Sequence, residues 1–170
     1  MAEVRLYKSE DIASMTAIWN DITEEGISFP GDTVLTRQQA AEMFAAQSAT
    51  GCAVQEGEIA GLYILHPNNA GRCAHIANAS YGVERKFRGK GIGEALVRHS
   101  IATAREMGFL GLQFNAVVET NRSAIKLYEK LGFTRVGRIK NGYHLKDGRY
   151  VDLLIFFLEL QTPEELEDKR

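Results

Sequence analysis

The segment Val83-Glu84-Arg85-Lys86-Phe87-Arg88-Gly89-Lys90-Gly91-Ile92-Gly93-Glu94-Ala95-Leu96 constrains this chain more than any other. A strand-like run enters a turn with glycine at alternate positions, and an amphipathic helical pattern leaves it. Gly89, Gly91 and Gly93 carry no Cβ, so a ligand can lie close against the backbone. Successive amide N–H groups at a helix start form a nest, and the helix dipole adds positive potential there. Arg88 and Lys90 add full charges. The turn therefore reads as an anion site suited to a diphosphate, whereas a plain glycine turn with solvated cations is the structural alternative. Two nucleotide-binding patterns fail on spacing. A P-loop needs Lys-Ser or Lys-Thr after its last glycine, and a dinucleotide fingerprint beginning at Gly89 needs glycine where Glu94 stands.

Around this turn, short strands alternate with helices, which implies a single mixed α/β (α+β) domain over residues 1–170. Val4 to Tyr7 reads as a first strand. Ser9 is expected to cap a helix whose buried stripe is Ile12, Met15, Ile18, Trp19 and Ile22, with Gly26 as its stop. A loop holds Phe29-Pro30-Gly31-Asp32, and Thr36 to Ala49 reads as a second helix. Cys52–Gln55 and Ile59–His66 form a hairpin around Glu56-Gly57-Glu58. His75 to Glu84 is a longer strand, Gly91 to Met107 the clearest helix, Leu112 to Val117 a strand, and Asn121 to Leu131 a helix stopped by Gly132. Phe133–Ile139 and Arg149–Leu160 are expected to close the sheet as antiparallel strands around a loop at Asn141 to Gly148. Residues 161–170 hold a short capped turn or fray.

Composition narrows the function. Lys and Arg number 20 against 22 for Asp and Glu, so there is no basic excess for tracking nucleic acid. Cys52 and Cys73 are not in metal-like spacing, and the histidines at 66, 75, 99 and 144 are scattered, so no metal site is expected. No secretory signal is apparent, and the longest apolar stretch, Leu153 to Leu158, is too short to span a bilayer. A cytoplasmic protein with no membrane partner is the expectation.

At Arg88-Gly89-Lys90-Gly91-Ile92-Gly93 the chain resembles the GCN5-related N-acetyltransferase (GNAT) superfamily, whose signature is [QR]-x-x-G-x-[GA]. Asn121-Arg122-Ser123-Ala124-Ile125-Lys126-Leu127-Tyr128-Glu129-Lys130-Leu131-Gly132-Phe133 resembles the second cofactor motif of that family. Asn121 and Tyr128 lie on one helix face, about 10.5 Å apart along the axis. By themselves they also read as a plain helix cap and a core aromatic. The resemblance implies a sheet of about six to seven strands, helices on both faces, and a central parallel pair that splays apart. It implies acetyl-CoA as cosubstrate, held by Tyr81, Gly82 and Val83 on the strand, by Arg88, Gly89, Lys90, Gly91, Ile92, Gly93 and Glu94 at the turn, and by Asn121, Ser123 and Tyr128 on the second helix. It also implies direct attack by an amine in a ternary complex, with Tyr128 as general acid, and relatives that often form homodimers.

The resemblance further implies that a strand N–H in the region Asn78 to Gly82, aimed in the family by a bulge on that strand, meets the developing oxyanion. Glu24, Glu25 and His75 are candidate bases. Asn78 and Asn115 are polar in otherwise apolar strands and, with Phe29, are candidates for substrate contact. Paired structural amides are the other reading of both. His66-Pro67-Asn68-Asn69, Ile76-Ala77-Asn78-Ala79 and Phe114-Asn115-Ala116-Val117 are similar to segments of fungal proline-analogue acetyltransferases and, more distantly, to phosphinothricin-type enzymes. The expected function is acetylation of a small, amino-acid-like amine. The alternatives are a protein or peptide N-acetyltransferase and a CoA-binding sensor without turnover.

Overall fold

The structure, a computed structural model, describes residues 1–169. Its strands are β1 (Glu3–Leu6), β2 (Ala49–Gln55), β3 (Glu58–Pro67), β4 (Ile76–Val83), β5 (Gly111–Val118), β6 (Thr134–His144) and β7 (Tyr150–Glu159). They form one mixed sheet in the order β1-β2-β3-β4-β5-β7-β6. Helices α1 (Ile12–Glu25) and α2 (Arg37–Ala46) lie on one face. Helices α3 (Ile92–Glu106) and α4 (Arg122–Lys130) lie on the other, and a short α5 (Pro163–Glu167) follows β7.

Period-two alternation divides the core. Leu62 and Ile64 of β3 pack with Met15, Ile18, Ile22, Ala40 and Phe44 of α1 and α2. Tyr63 and Leu65 turn to the opposite face and join Leu96 and Val97 of α3. The expected stripe on α1 is therefore real, although Ile12 and Trp19 are only half-buried. Its N-terminus differs from expectation. Ser9 provides no cap; instead the Lys8 amide donates to the Asp11 carboxylate (2.7 Å), which also takes two bonds from the Arg5 guanidinium (2.7 and 3.1 Å). A carboxylate bonded to both a strand arginine and a backbone amide ties β1 to α1 more firmly than a serine hydroxyl could.

Two further boundaries depart from the sequence expectation. The second helix stops at Ala46, because Gln47 is already extended and Ala49 begins pairing with Leu65. The first half of the loop expected from Asn141 to Gly148 is strand: β6 continues to His144, paired with Tyr150, with a register shift between Ile139 and Tyr143. The tail takes the capped alternative: it is helical over Pro163–Glu167, with Thr162 and Glu165 forming a reciprocal capping box. Arg170 lies outside the described residues.

The central parallel pair splays. β4 and β5 are paired only at Ile76 with Gly111 and Ala77 with Leu112. Beyond that rung β5 continues to Val118 alongside β7 and β4 to Val83 alongside β3, leaving a fork. The expected bulge on β4 is absent: its pairing with β3 runs from Gly61–Val83 to Pro67–Ala77 without a shift. The irregularity is on the other prong, where β5 slips one residue against β7 between Phe114 and Val117. A bulge bends the strand that carries it, so β5 is the prong that turns away.

Candidate active site

The antiparallel bonds fix which backbone groups enter the fork. Asn68 N–H donates to Ile76 O (2.8 Å) and Glu84 N–H to Ala60 O (2.9 Å). In this phase the even-numbered residues of β4 bond β3, and the odd-numbered ones point their amides and carbonyls towards β5. Ala79, Tyr81 and Val83 therefore present backbone groups to the fork. Gly82 faces the other way. It pairs with Leu62, and a Cβ there would sit 2.7 Å from Ile22 Cδ1, so its role is to let α1 lie on the sheet. The Tyr81 side chain points under α3, where its hydroxyl bonds Ser100 (2.7 Å).

At the turn, the Arg88 amide still donates to Arg85 O (3.2 Å), and the Ala95 amide already donates to Gly91 O (3.1 Å). Between them, the amides of residues 89 to 94 donate to no acceptor among the described residues. Gly89 and Gly91 take φ of +75° and +82°, which a side chain resists, and a Cβ on either would meet nothing within 4 Å. The start of α3 thus offers an open run of unbonded N–H groups at the positive end of its dipole.

The charges around this run differ from the sequence expectation. Arg88 is committed elsewhere. Its guanidinium makes two bonds to the Glu25 carboxylate (2.8 and 3.1 Å) and one to Val83 O (3.2 Å), fastening the end of α1 to the turn. That guanidinium, aided by Arg85, holds the Glu25 carboxyl below the usual carboxylate range, so Glu25 is unsuited to take a proton near neutrality. Lys90 remains at the turn, its ammonium 5.3 Å from the Phe87 ring centroid. Glu94 would oppose an anion. Lys130 (2.7 Å) and Arg98 (2.8 Å) bind its carboxylate and offset it.

Across the groove, Asn121 caps α4: its Oδ1 accepts from the Ala124 amide (3.3 Å) and the Ser123 hydroxyl (3.3 Å). The cap reading is therefore correct, and its Nδ2 makes no bond to a described residue. Tyr128 lies two turns on. Its ring packs on Phe114 (4.6 Å between centroids), Phe133 (5.6 Å) and Phe156 (5.7 Å). The core-aromatic reading would have its hydroxyl satisfied, yet that hydroxyl has no hydrogen bond among the described residues. Tyr128 is half-buried, and among the described residues no fully enclosed side-chain oxygen or nitrogen lacks a partner, so its hydroxyl retains contact with accessible space. Burial of the ring raises its pKa above the ordinary 10, so the phenol keeps its proton at neutral pH.

On the α1/α2 face of the fork, Asn78 and Asn115 come together through a residue whose role the sequence did not single out. Asn68 Oδ1 accepts from Asn78 Nδ2 (3.1 Å) and Asn115 Nδ2 (2.6 Å), and Gln113 Nε2 donates to Asn115 Oδ1 (2.8 Å). The only signal for Asn68 was its place in the His66-Pro67-Asn68-Asn69 turn. Phe29 is not part of this cluster. Its ring packs on Trp19 at 4.5 Å, and its carbonyl accepts from the Tyr143 hydroxyl at 2.7 Å. His75 is exposed at the start of β4, with its carbonyl bonded by the Leu110 amide. Among the described residues no group of three or more His, Cys, Asp or Glu side chains is arranged to hold a metal ion, and no helix is long and apolar enough to cross a membrane.

Known proteins are similar to this chain in sequence and fold. The profile of the Acetyltransferase (GNAT) family matches residues 12–133. N-acetyltransferase aca1 of Schizosaccharomyces pombe is 33% identical over 93% of this chain and 84% of its own length. A GCN5-related N-acetyltransferase from Kribbella flavida superposes with a TM-score of 0.88 at 34% identity, covering 94% of this chain and 98% of that one. The phosphinothricin acetyltransferase of Sinorhizobium meliloti, solved in complex with acetyl-CoA, has the same fold at 23% identity, with a TM-score of 0.87 over 94% of this chain and 88% of its own.

Proposed function

Because this chain belongs to the GNAT acetyltransferase family, an N-acetyltransferase class, we propose that it transfers the acetyl group of acetyl-CoA to a small, amino-acid-like amine. The observation that carries this reading is the run of unbonded amides from Gly89 to Glu94 opening beside the fork. The fit to a diphosphate-bearing cosubstrate is good: aligned donors, open space over Gly89 and Gly91, and a neutralised Glu94. Acetyl-CoA supplies the activated acyl group and a thiolate leaving group. The turn amides and Lys90 hold its diphosphate, and the backbone of Tyr81 together with the Val83 N–H, the Val83 carbonyl being taken by Arg88, aligns its arm. Asn121 Nδ2 and Ser123, at the start of α4, are the further candidates to contact it. An N–H of Ala79 or Tyr81 serves the carbonyl oxygen as it gains charge, and the Tyr128 hydroxyl gives its proton to the departing sulfur.

The amine site in this reading is the amide cluster on the opposite face. With both Nδ2 groups spent on Asn68 Oδ1, Asn78 Oδ1 remains to accept from an amine and Asn68 Nδ2 to donate to a carboxylate. That pairing suits a compact molecule bearing both groups. Release of CoA thiol from acetyl-CoA, followed across amino acids, proline analogues, polyamines and peptides, tests the proposal. Turnover concentrated on small amino-acid-like amines supports it. Preference for peptides, or tight CoA binding without turnover on any amine, contradicts it.

The pH profile is a second test. The amides of the cluster cannot act as bases, Glu25 is held deprotonated by Arg88, and the Tyr128 phenol stays protonated. The amine's proton therefore leaves to water. Below the amine's own pKa, kcat/KM should rise about ten-fold per pH unit as the free amine accumulates. It should show no alkaline fall from Tyr128 up to about pH 10. Two amines of different pKa should displace the acid limb accordingly. A limb fixed between pH 6 and 7 for both, within the ordinary histidine range, would instead identify an enzymic base.

A further inference from the structure

We infer that Phe114 sets the length of acyl group this enzyme accepts, an inference that rests on the acyl-transfer reading above. The last rung of the β4–β5 pair is Ala77 with Leu112. One step further on the α3/α4 face stand Ala79 on β4 and Phe114 on β5. The two alanines supply almost no bulk, so the floor of the fork is filled by the Phe114 ring. That ring lies 5.7 Å from Tyr81 across the fork, 4.6 Å from Tyr128 and 4.8 Å from Phe133, centroid to centroid. The floor is closed: Phe114 is 4% exposed, Ala79 7%, and Ala77 and Leu112 not at all. The register slip in β5 follows Phe114 directly, so the strand bends away just beyond the ring and leaves it as the last filled layer.

The Tyr128 ring packs beside this layer, and its hydroxyl retains contact with accessible space. An acyl group placed for the sulfur to receive that proton directs its carbon chain at the fork floor. A methyl group ends above the ring, whereas each added methylene must displace it. Ring and alanines are buried in one core cluster, and the close packing of protein interiors leaves a buried ring little empty space to move into.

The test is the ratio of kcat/KM for acetyl-CoA to that for propionyl-CoA with one amine. The wild type should favour acetyl-CoA by about ten-fold or more, the usual scale for one methylene in an apolar pocket. Phe114→Leu and the volume-conserving Phe114→Met should narrow that ratio by about ten-fold and admit butyryl-CoA. Phe109→Leu is the control. It removes another buried ring (8% exposed) two residues before β5, outside the fork, and should leave the ratio unchanged. A loss of stability alone lowers both rates and does not move the ratio. Equal use of acetyl- and propionyl-CoA by the wild type overturns the inference and leaves the acetyltransferase reading intact. So does an unchanged ratio in both Phe114 variants, or an equal change in Phe109→Leu. Absence of any amine-dependent acetyl transfer by the wild type overturns the underlying reading and this inference with it.

Discussion

Tyr128→Phe should lower kcat by ten-fold or more while leaving acetyl-CoA affinity and thermal stability close to wild type. The magnitude follows from the scale of general-acid catalysis. The selectivity follows from the surroundings of the residue. The ring makes all the packing contacts, with Phe114, Phe133, Phe156 and, at 6.5 Å, Tyr81, and phenylalanine keeps them. The hydroxyl bonds no described residue, so its removal orphans no buried partner. The usual objection to such variants, that they damage the fold, is thus answered by the same geometry that assigns the role. Steady-state kinetics, titration of acetyl-CoA and a melting curve on one preparation distinguish the possibilities. Unchanged turnover on the best amine would remove Tyr128 as the acid. A large drop in melting temperature would mean that the hydroxyl has a structural partner.

Gly91→Ala should weaken acetyl-CoA binding by about ten-fold or more, at a modest cost in stability. Gly91 holds φ at +82°, and an alanine in that region costs roughly 1–2 kcal/mol. For a chain of this size that corresponds to a fall of a few degrees in melting temperature. No atom blocks the new Cβ in the free protein, so the cost is confined to the backbone. The effect on binding is larger because relaxing that φ rotates the amides of Gly91 and Ile92 away from their common focus. Each hydrogen bond to a charged group contributes about 1.5–3 kcal/mol, so misaiming one reduces affinity by about ten-fold to a hundred-fold. Equal acetyl-CoA affinity in wild type and variant would show that the turn does not grip the cosubstrate.

What the sequence made legible was mostly local. Gly26 and Gly132 are expected as helix stops, and they take positive φ of 64° and 90°. The nest was legible because three glycines and a helix start are contiguous. The register of β6 was not, since its extension to His144 depends on pairing with Tyr150 and Val151 and not on its own glycine- and asparagine-rich sequence. Arg88 was read as a free cation because its partner, Glu25, stands 63 residues earlier and reaches it only when α1 packs on the sheet. The same limit applies to Asn68. Two strand asparagines were visible as polar anomalies, but the turn residue that joins them could be recognised only once β3, β4 and β5 were adjacent. The family resemblance implied a bulge on β4, and the sequence itself locates none, because a register slip is a property of two strands and neither carries a local mark of it.

Isothermal titration of the unmodified chain with CoA and with acetyl-CoA tests the central claim most directly. One site per chain for each ligand, with affinity lowered in Gly91→Ala and retained in Tyr128→Phe, is the result expected if the amides from Gly89 to Glu94 grip the diphosphate. No detectable heat with either ligand, or binding indifferent to Gly91→Ala, would contradict it.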